Sequence, residues 1–394
     1  MFLAVCNQPL QRPGLQLQRP DFKGENNTRR IRTLPVNYRI MLTVPDTSHI
    51  QKIKPACSLF GSCGGCKYQD IPYEEELALK GKALHELLDG VVEGNGPDIF
   101  DPVVPSPDVY YYRNRLDLTL RKSRDGEWRM GFMLENTHRL EDVAACPIAR
   151  KEINDFLPKL REEAIAKAIG GEYRNANLTV RVGEEGKVAW GGIGRRSLRM
   201  QPEDYFWVTL RGKKIFYSLD TFFQANLSIL GRVVKLLEEA VSWKQGAVFL
   251  DLYSGVGLFG IALADLADEI VMIESGYDSV RLARHNIEHH QLKNARILEG
   301  RVEECLPETL AGLRERRCVA LIDPPRTGLY PSVIETLNRA EGLSSLLYLS
   351  CSPESLARDL EKLAEGAWKI KRITPFDFFP RTRHLETLVC LCRP

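Results

Sequence analysis

A chain of 394 residues is longer than one ordinary core supports, so two or three packed units are expected. With 44% hydrophobic and 27% charged residues the composition is globular, which excludes wholesale disorder, collagen-like repeats and long coiled coils. A net charge of +2 argues at first against a polyanionic partner, and no apolar run approaches the roughly 18 residues of a membrane span.

Residues 1–35 mix Gln, Pro, Arg and Asn without an apolar period and read as loop or disorder, whereas Tyr38 to Val44 (YRIMLTV) reads as one strand. The opening MFLAVC lacks a cationic start and a long hydrophobic stretch, so it is not a secretory signal and a cytoplasmic protein is expected. In that compartment ten cysteines serve as metal ligands, catalytic thiols or small buried hydrophobes rather than disulfides. The charge is uneven. Residues 1–55, a basic N-terminal segment, carry nine Lys/Arg against three Asp/Glu, and residues 369–394 carry six against two, leaving −8 between them. Such ends read either as a phosphate-binding rim or as solvated tails.

Cys57, Cys63 and Cys66 then lie in CSLFGSCGGCKYQ, a Cys-x5-Cys-x2-Cys set on a glycine-rich loop. Three thiolates this close repel one another unless a metal neutralises them, and both zinc and an iron–sulfur cluster require a fourth ligand. Cys146, in AACPIA, is the candidate. From Pro72 the segment YEEELALKGKALHELLDG puts Leu77, Leu84, Leu87 and Leu88 on one helical face, with acids in its first turn. Residues 109–215 are β-rich: RNRLDLTLRKS and EWRMGFML alternate around Asp125-Gly126 as a hairpin, LTVRVG and KVAWGG suggest a second, and a helix from about Ala149 to Ala168 interrupts them. Residues 56–215 form a central unit, and residues 216–394 a second one.

In that second unit a helix follows Gln224. Strands near 247–252, 269–274, 296–298, 318–323 and 345–350 then alternate with helical or loop sequence, which implies a mostly parallel sheet covered on both faces. AVFLDLYSGVGLFGIALA is a strand, a glycine turn and a helix start, in which Gly255, Gly257 and Gly260 satisfy G-x-G-x-x-G. Glu274 ends the next strand and can accept both hydroxyls of a ribose. This pattern suits a dinucleotide dehydrogenase and an S-adenosylmethionine methyltransferase alike. Asp251 before the turn favours the cationic, amine-bearing cofactor. ALIDPPRTGL sets Asp323 at a strand end, where ligands of open α/β sheets sit. LLYLSCSPESLARDLEKL sets Cys351 just ahead of a helix N-terminus, a candidate nucleophile whose pKa should be lowered. FDFFPRTRHLETLVCLCRP brings Glu386 to the start of an apolar strand, a candidate general base.

SGVGLFG with Glu274, DPPRTGL, SCSPESLARDL and FFPRTRHLE, preceded by TFFQAN at 221–226, resemble the RNA 5-methyluridine methyltransferases in order and spacing. The resemblance covers about residues 56–394. It implies a Rossmann-like S-adenosylmethionine methyltransferase domain packed on a β-rich central α+β domain, with Cys351 as nucleophile and Glu386 as the base that removes the ring proton. It further implies Gln224, Tyr253, Gly255, Glu274 and Asp323 as the cofactor-contacting positions, and a 4Fe-4S cluster on Cys57, Cys63, Cys66 and Cys146. Leu258, Ser352 and Arg381 depart from the family pattern, Arg381 standing where a histidine is usual. The expected substrate is a flipped-out or single-stranded uridine, in large-subunit (23S-type) ribosomal RNA ahead of transfer RNA, with Phe222 and Phe223 available to stack on the base. A monomer is expected that either lacks the small N-terminal β-barrel of many relatives or retains only a remnant of it near YRIMLTV. An NAD-dependent oxidoreductase leaves Cys351, Glu386 and the cysteine set without roles, and a non-catalytic iron–sulfur RNA-binding module leaves SCSPESLARDL unexplained.

Overall fold

The computed structural model describes residues 47–92, 99–134, 137, 139–194, 197–241, 243 and 246–393. The strand expected at 38–44, the reading of residues 1–35 and the barrel question lie outside the described residues. Helix α1 (Tyr73–Leu88) is followed by β1 (Arg115–Lys122), β2 (Trp128–Met133), β3 (Leu140–Asp142), α2 (Lys151–Gly170), β4 (Asn175–Val182) and β5 (Val188–Gly191). The five strands form one antiparallel sheet in the order β3-β2-β1-β4-β5. Leu116, Leu118 and Leu120 alternate with polar residues along β1, and with Val180 and Val182 they bury one sheet face against Ile153, Leu157, Leu160 and Ala164 of α2.

A hairpin follows, β6 (Phe206–Leu210) and β7 (Lys213–Tyr217), closed by Arg211 and Gly212, both at positive φ as a tight two-residue turn demands. Then come α3 (Leu230–Ala240), β8 (Val248–Leu252), α4 (Leu258–Ala262), β9 (Glu269–Glu274), α5 (Tyr277–His289), β10 (Ala295–Glu299), α6 (Val302–Gly312), β11 (Cys318–Ile322), α7 (Pro331–Arg339), β12 (Leu343–Ser350), α8 (Pro353–Ala364), β13 (Lys369–Phe376) and β14 (Glu386–Cys392). The seven strands run β10-β9-β8-β11-β12-β14-β13; the first five are parallel and β14 is antiparallel to both of its neighbours. The central strands β8 and β11 are buried along their whole length because both faces are covered. Val233, Ile261 and Leu282 pack on one face, and Leu84, Leu306, Leu337, Leu356 and Leu360 on the other.

The chain leaves β8 toward β9 on one side and later returns as β11 on the other, so the glycine turn after β8 sits at the switch point of the sheet. One expected face differs. Helix α1 buries Glu76, Lys80, Leu84 and Leu88, while Leu77 and Leu87 are only partly covered. Glu76 and Lys80 displace the leucines because Asp377 arrives to complete a buried ionic group: Lys80 Nζ lies 2.7 Å from Glu76 Oε1 and 2.8 Å from Asp377 Oδ1.

Candidate active site

At the end of β8 the backbone turns sharply. Tyr253, Gly255 and Gly257 all have positive φ (61°, 55° and 82°), a conformation costly for a tyrosine and cheap for glycine. A Cβ on Gly257 would also come within 2.9 Å of Met272 Sδ. Two carboxylates fix the turn. Asp251 Oδ2 accepts the Gly260 N–H (2.8 Å), and Glu274 accepts the N–H groups of Gly255 (2.9 Å) and Gly276 (2.6 Å). Burial pushes the Asp251 carboxyl up to about 7. Asp251 Oδ1, Tyr253 Oη and Ser254 Oγ are buried without a hydrogen-bond partner among the described residues. Buried polar atoms are normally satisfied, so three orphans around one turn suit a polar ligand that supplies the missing partners. Leu258 is buried in the core at the start of α4.

A second set of residues gathers where β11, β12 and β14 end. In the antiparallel ladder Ser350 pairs with Thr387, so one further step of the same register brings Cys351 opposite Glu386. Asp323 follows β11, next to β12, and its N–H donates to the Leu252 carbonyl (3.3 Å). The two sequence motifs bearing these groups clasp each other. Ser355 Oγ donates to the Arg326 carbonyl (2.6 Å), Arg358 Nη2 to the Thr327 carbonyl (2.8 Å), and the Leu329 N–H to Asp359 Oδ2 (2.7 Å). Helix α8 thereby fixes the turn after Asp323 beside Cys351, and the Ser352 hydroxyl caps that helix.

The electrostatics correct one expectation. The Cys351 thiol is pushed up to about 11, not down, because burial and then the negative charges of Glu386 and Asp323 outweigh the helix end, with Arg326 offsetting part of the effect. Burial alone raises Asp323 to about 7, and burial with Asp323 nearby holds Glu386 well above the usual carboxylate range. Arg326 opposes the rise at both Cys351 and Glu386. No role was expected for it, although its place right after Asp323-Pro-Pro was the available signal.

Of the two aromatic candidates, Phe223 is core: it is 5% exposed and stacks on Tyr217 with ring centroids 3.9 Å apart. Phe222 is 70% exposed. Gln224 is buried, and its main-chain carbonyl accepts from Asn114 Nδ2 (3.1 Å).

Cys57, Cys63 and Cys66 of one loop and the sequence-distant Cys146 line a single cavity of about 440 Å³ together with Arg383 and His384. Asn154 of α2 accepts the Cys146 N–H (2.7 Å) and returns a bond to its carbonyl (3.1 Å), and Gln69 accepts the Cys57 N–H (2.9 Å). Among the described residues no three His, Cys, Asp or Glu side chains converge as the ligands of a metal ion. His384, absent from the expected site, is depressed to about 4 by burial and the surrounding cations Arg326, Arg383, Lys80 and Arg113.

Comparison with known proteins fits this geometry. A tRNA (uracil-5-)-methyltransferase family model matches residues 202–394. A tRNA (uracil(54)-C(5))-methyltransferase from Pyrococcus horikoshii is 30% identical, with 86% of this chain and 86% of the relative covered. The chain belongs to the RNA uracil-5-methyltransferase family. It is thus an enzyme, an S-adenosylmethionine-dependent RNA (uracil-5-)-methyltransferase. An uncharacterized RNA methyltransferase from Synechocystis is 28% identical over 87% of this chain and 83% of its own. The fold of this methyltransferase matches the crystal structure of the Pyrococcus abyssi tRNA (uracil-54, C5)-methyltransferase in complex with S-adenosyl-L-homocysteine, with a TM-score of 0.62 at 24% identity, over 82% of this chain and 84% of that one. In the methyltransferase described here no helix is long and apolar enough to cross a membrane, among the described residues.

Proposed function

We propose that the enzyme methylates carbon 5 of a uridine in RNA through a covalent bond between Cys351 and carbon 6 of the base. Carbon 5 of uracil is a poor nucleophile. Addition of the Cys351 thiolate to carbon 6 pushes an electron pair to carbon 5, which then forms the new carbon–carbon bond. S-adenosylmethionine supplies the electrophilic methyl group when bound. Glu386 takes the proton left on carbon 5, the carbon 5–carbon 6 double bond re-forms, and the Cys351–carbon 6 bond breaks to release the thiolate. The observation that carries this reading is the β12–β14 register, which sets nucleophile and base across one pair of strands.

The cofactor reading is that Tyr253, Gly255, Glu274, Asp323 and Gln224 face S-adenosylmethionine, supported by the orphaned polar atoms around the glycine turn. The cysteine cavity is read as the site of a 4Fe-4S cluster, since four cysteines line it and such a cluster takes four thiolate ligands. Its role is structural, since methyl transfer moves no net electrons. The exposed Phe222 is the aromatic available to stack on the extruded base. For the RNA, the first reading is large-subunit ribosomal RNA. The second is transfer RNA, favoured by the substrate named for the Pyrococcus horikoshii relative.

The test is transfer of labelled methyl groups to ribosomal and transfer RNA transcripts, followed by nucleoside analysis. The wild type yields 5-methyluridine in one of them, and Cys351→Ala yields none while still binding S-adenosylmethionine. Full turnover by Cys351→Ala removes the nucleophile from the account.

A further inference from the structure

The turn between β13 and β14, which leads into Glu386, is held at successive backbone groups by residues from four distant segments. The Phe378 carbonyl accepts from Asn226 Nδ2 (3.1 Å), the Phe379 carbonyl from Lys80 Nζ (3.3 Å) and the Pro380 carbonyl from Tyr112 Oη (3.0 Å). Arg381 gathers the most bonds. Its carbonyl accepts the N–H groups of Lys67 (2.8 Å) and Tyr68 (3.2 Å), immediately after Cys66, and its own N–H donates to Glu76 Oε1 (2.7 Å). Its guanidinium donates to the carbonyls of Tyr68 (3.2 Å) and Ile71 (2.9 Å), lies 3.5 Å from Glu76 Oε2, and sits 5.4 Å and 5.1 Å from the ring centroids of Tyr73 and Tyr110.

Three features separate this from ordinary packing. Arg381 is almost fully buried, which for an arginine requires its partners to be fixed in place. Its backbone is left-handed at φ 68°, a conformation that a non-glycine residue keeps only where the surroundings impose it. The segment it anchors continues through Arg383 and His384, which line the cysteine cavity, to Glu386 two residues further on. The cysteine loop and the catalytic strand end therefore meet at one side chain. Nη1 alone reaches both carbonyls and approaches the Glu76 carboxylate, while the flat guanidinium lies over the Tyr73 and Tyr110 rings, a combination of donor and planar stack that a lysine ammonium does not reproduce.

We propose that Arg381 is a positioning residue that locks the base-bearing segment 382–386 onto the cysteine loop, so that the order of that loop sets the aim of Glu386. The inference rests on the reading of Glu386 as base, and the experiment keeps the two apart. RNA containing 5-fluorouridine has no proton on carbon 5 to lose, so its adduct with Cys351 forms without help from a base and persists. The wild type is first shown to form this adduct on whichever transcript it methylates; absence of the adduct overturns the covalent reading itself.

Arg381→Ala and Arg381→Lys are then compared with the wild type. Arg381→Ala forms the fluorouridine adduct within about twofold of the wild-type rate, turns over ordinary RNA roughly tenfold or more slowly, and accumulates an adduct with ordinary uridine. Arg381→Lys, which keeps the charge and loses the planar stack on Tyr73 and Tyr110, recovers part of the turnover. If both variants lose adduct formation and turnover in the same proportion, the effect is general structural damage and the proposal fails. It fails equally if Arg381→Ala turns over normally. Should Arg381→Ala not fold, Arg381→Lys carries the same comparison, with slowed turnover and unslowed adduct formation expected.

Discussion

Cys351 enters the reaction as a thiol. With its pKa pushed up to about 11 by burial and by Glu386 and Asp323, little thiolate exists at neutral pH, and the rate of adduct formation is expected to climb with pH through the neutral and alkaline range. A single-turnover pH profile checks this; a rate flat from pH 6 to 9 means that a bound ligand has already lowered the thiol. Asp323 gives a stability prediction. Burial raises its pKa from 3.8 to about 7, so the folded protein keeps a proton there that the unfolded chain releases. Stability from this group is complete below about pH 4 and is lost as the pH rises toward 7. Asp323→Asn, neutral throughout, should melt a few degrees above the wild type at pH 8, with the difference gone at pH 4. The identities of Cys351, Glu386 and Asp323 were legible because each closes a motif at a strand end. Their titration was not, because the depth of burial and the approach of three acidic groups depend on strands distant in sequence meeting in one sheet.

At the scale of elements, α1 shows where pattern reading stops. Glu76 and Lys80 stand four apart and resemble an exposed helical pair worth a few tenths of a kcal/mol. They are buried because Asp377, about 300 residues later, shares the Lys80 ammonium, and no local period carries that information. Lys80→Ala removes the ammonium that Glu76 and Asp377 share, leaving Arg381 at Glu76 and the Tyr73 hydroxyl at Asp377, and a loss of about 3–5 kcal/mol is expected in urea unfolding. A loss below 1 kcal/mol contradicts a buried network. The five parallel strands of the seven-stranded sheet were, by contrast, readable within two residues, because short apolar runs alternating with helical sequence permit few other arrangements, whereas β13 was not read as a strand. The final antiparallel strand was recognised as apolar, but its place between β12 and β13 was not encoded in that run, and this place is what brings Glu386 to Cys351.

Across the whole molecule, two sheets and one loop converge on the same small region. The cysteine cavity is closed by Cys146 from the segment leading into α2 and by Arg383 and His384 from the catalytic end, so loss of its contents should be felt beyond the loop. Protein reconstituted anaerobically with iron and sulfide is expected to bind about four irons in the cluster reading, and Cys146→Ser to bind markedly fewer with a lower melting temperature. Zinc at one per chain contradicts the cluster. The basic ends noted in the sequence are now partly accounted for: Arg381 and Arg383, from the C-terminal basic stretch, lie at the cysteine loop and cavity rather than in a solvated tail. The central claim is the covalent bond from Cys351 to the base with Glu386 as the group that resolves it. Its most direct test is Glu386→Gln incubated with substrate RNA and S-adenosylmethionine, run on a denaturing gel and then digested for mass spectrometry. The account predicts a protein–RNA band whose methylated uridine is attached to Cys351; normal turnover by Glu386→Gln, or an adduct on any other residue, contradicts it.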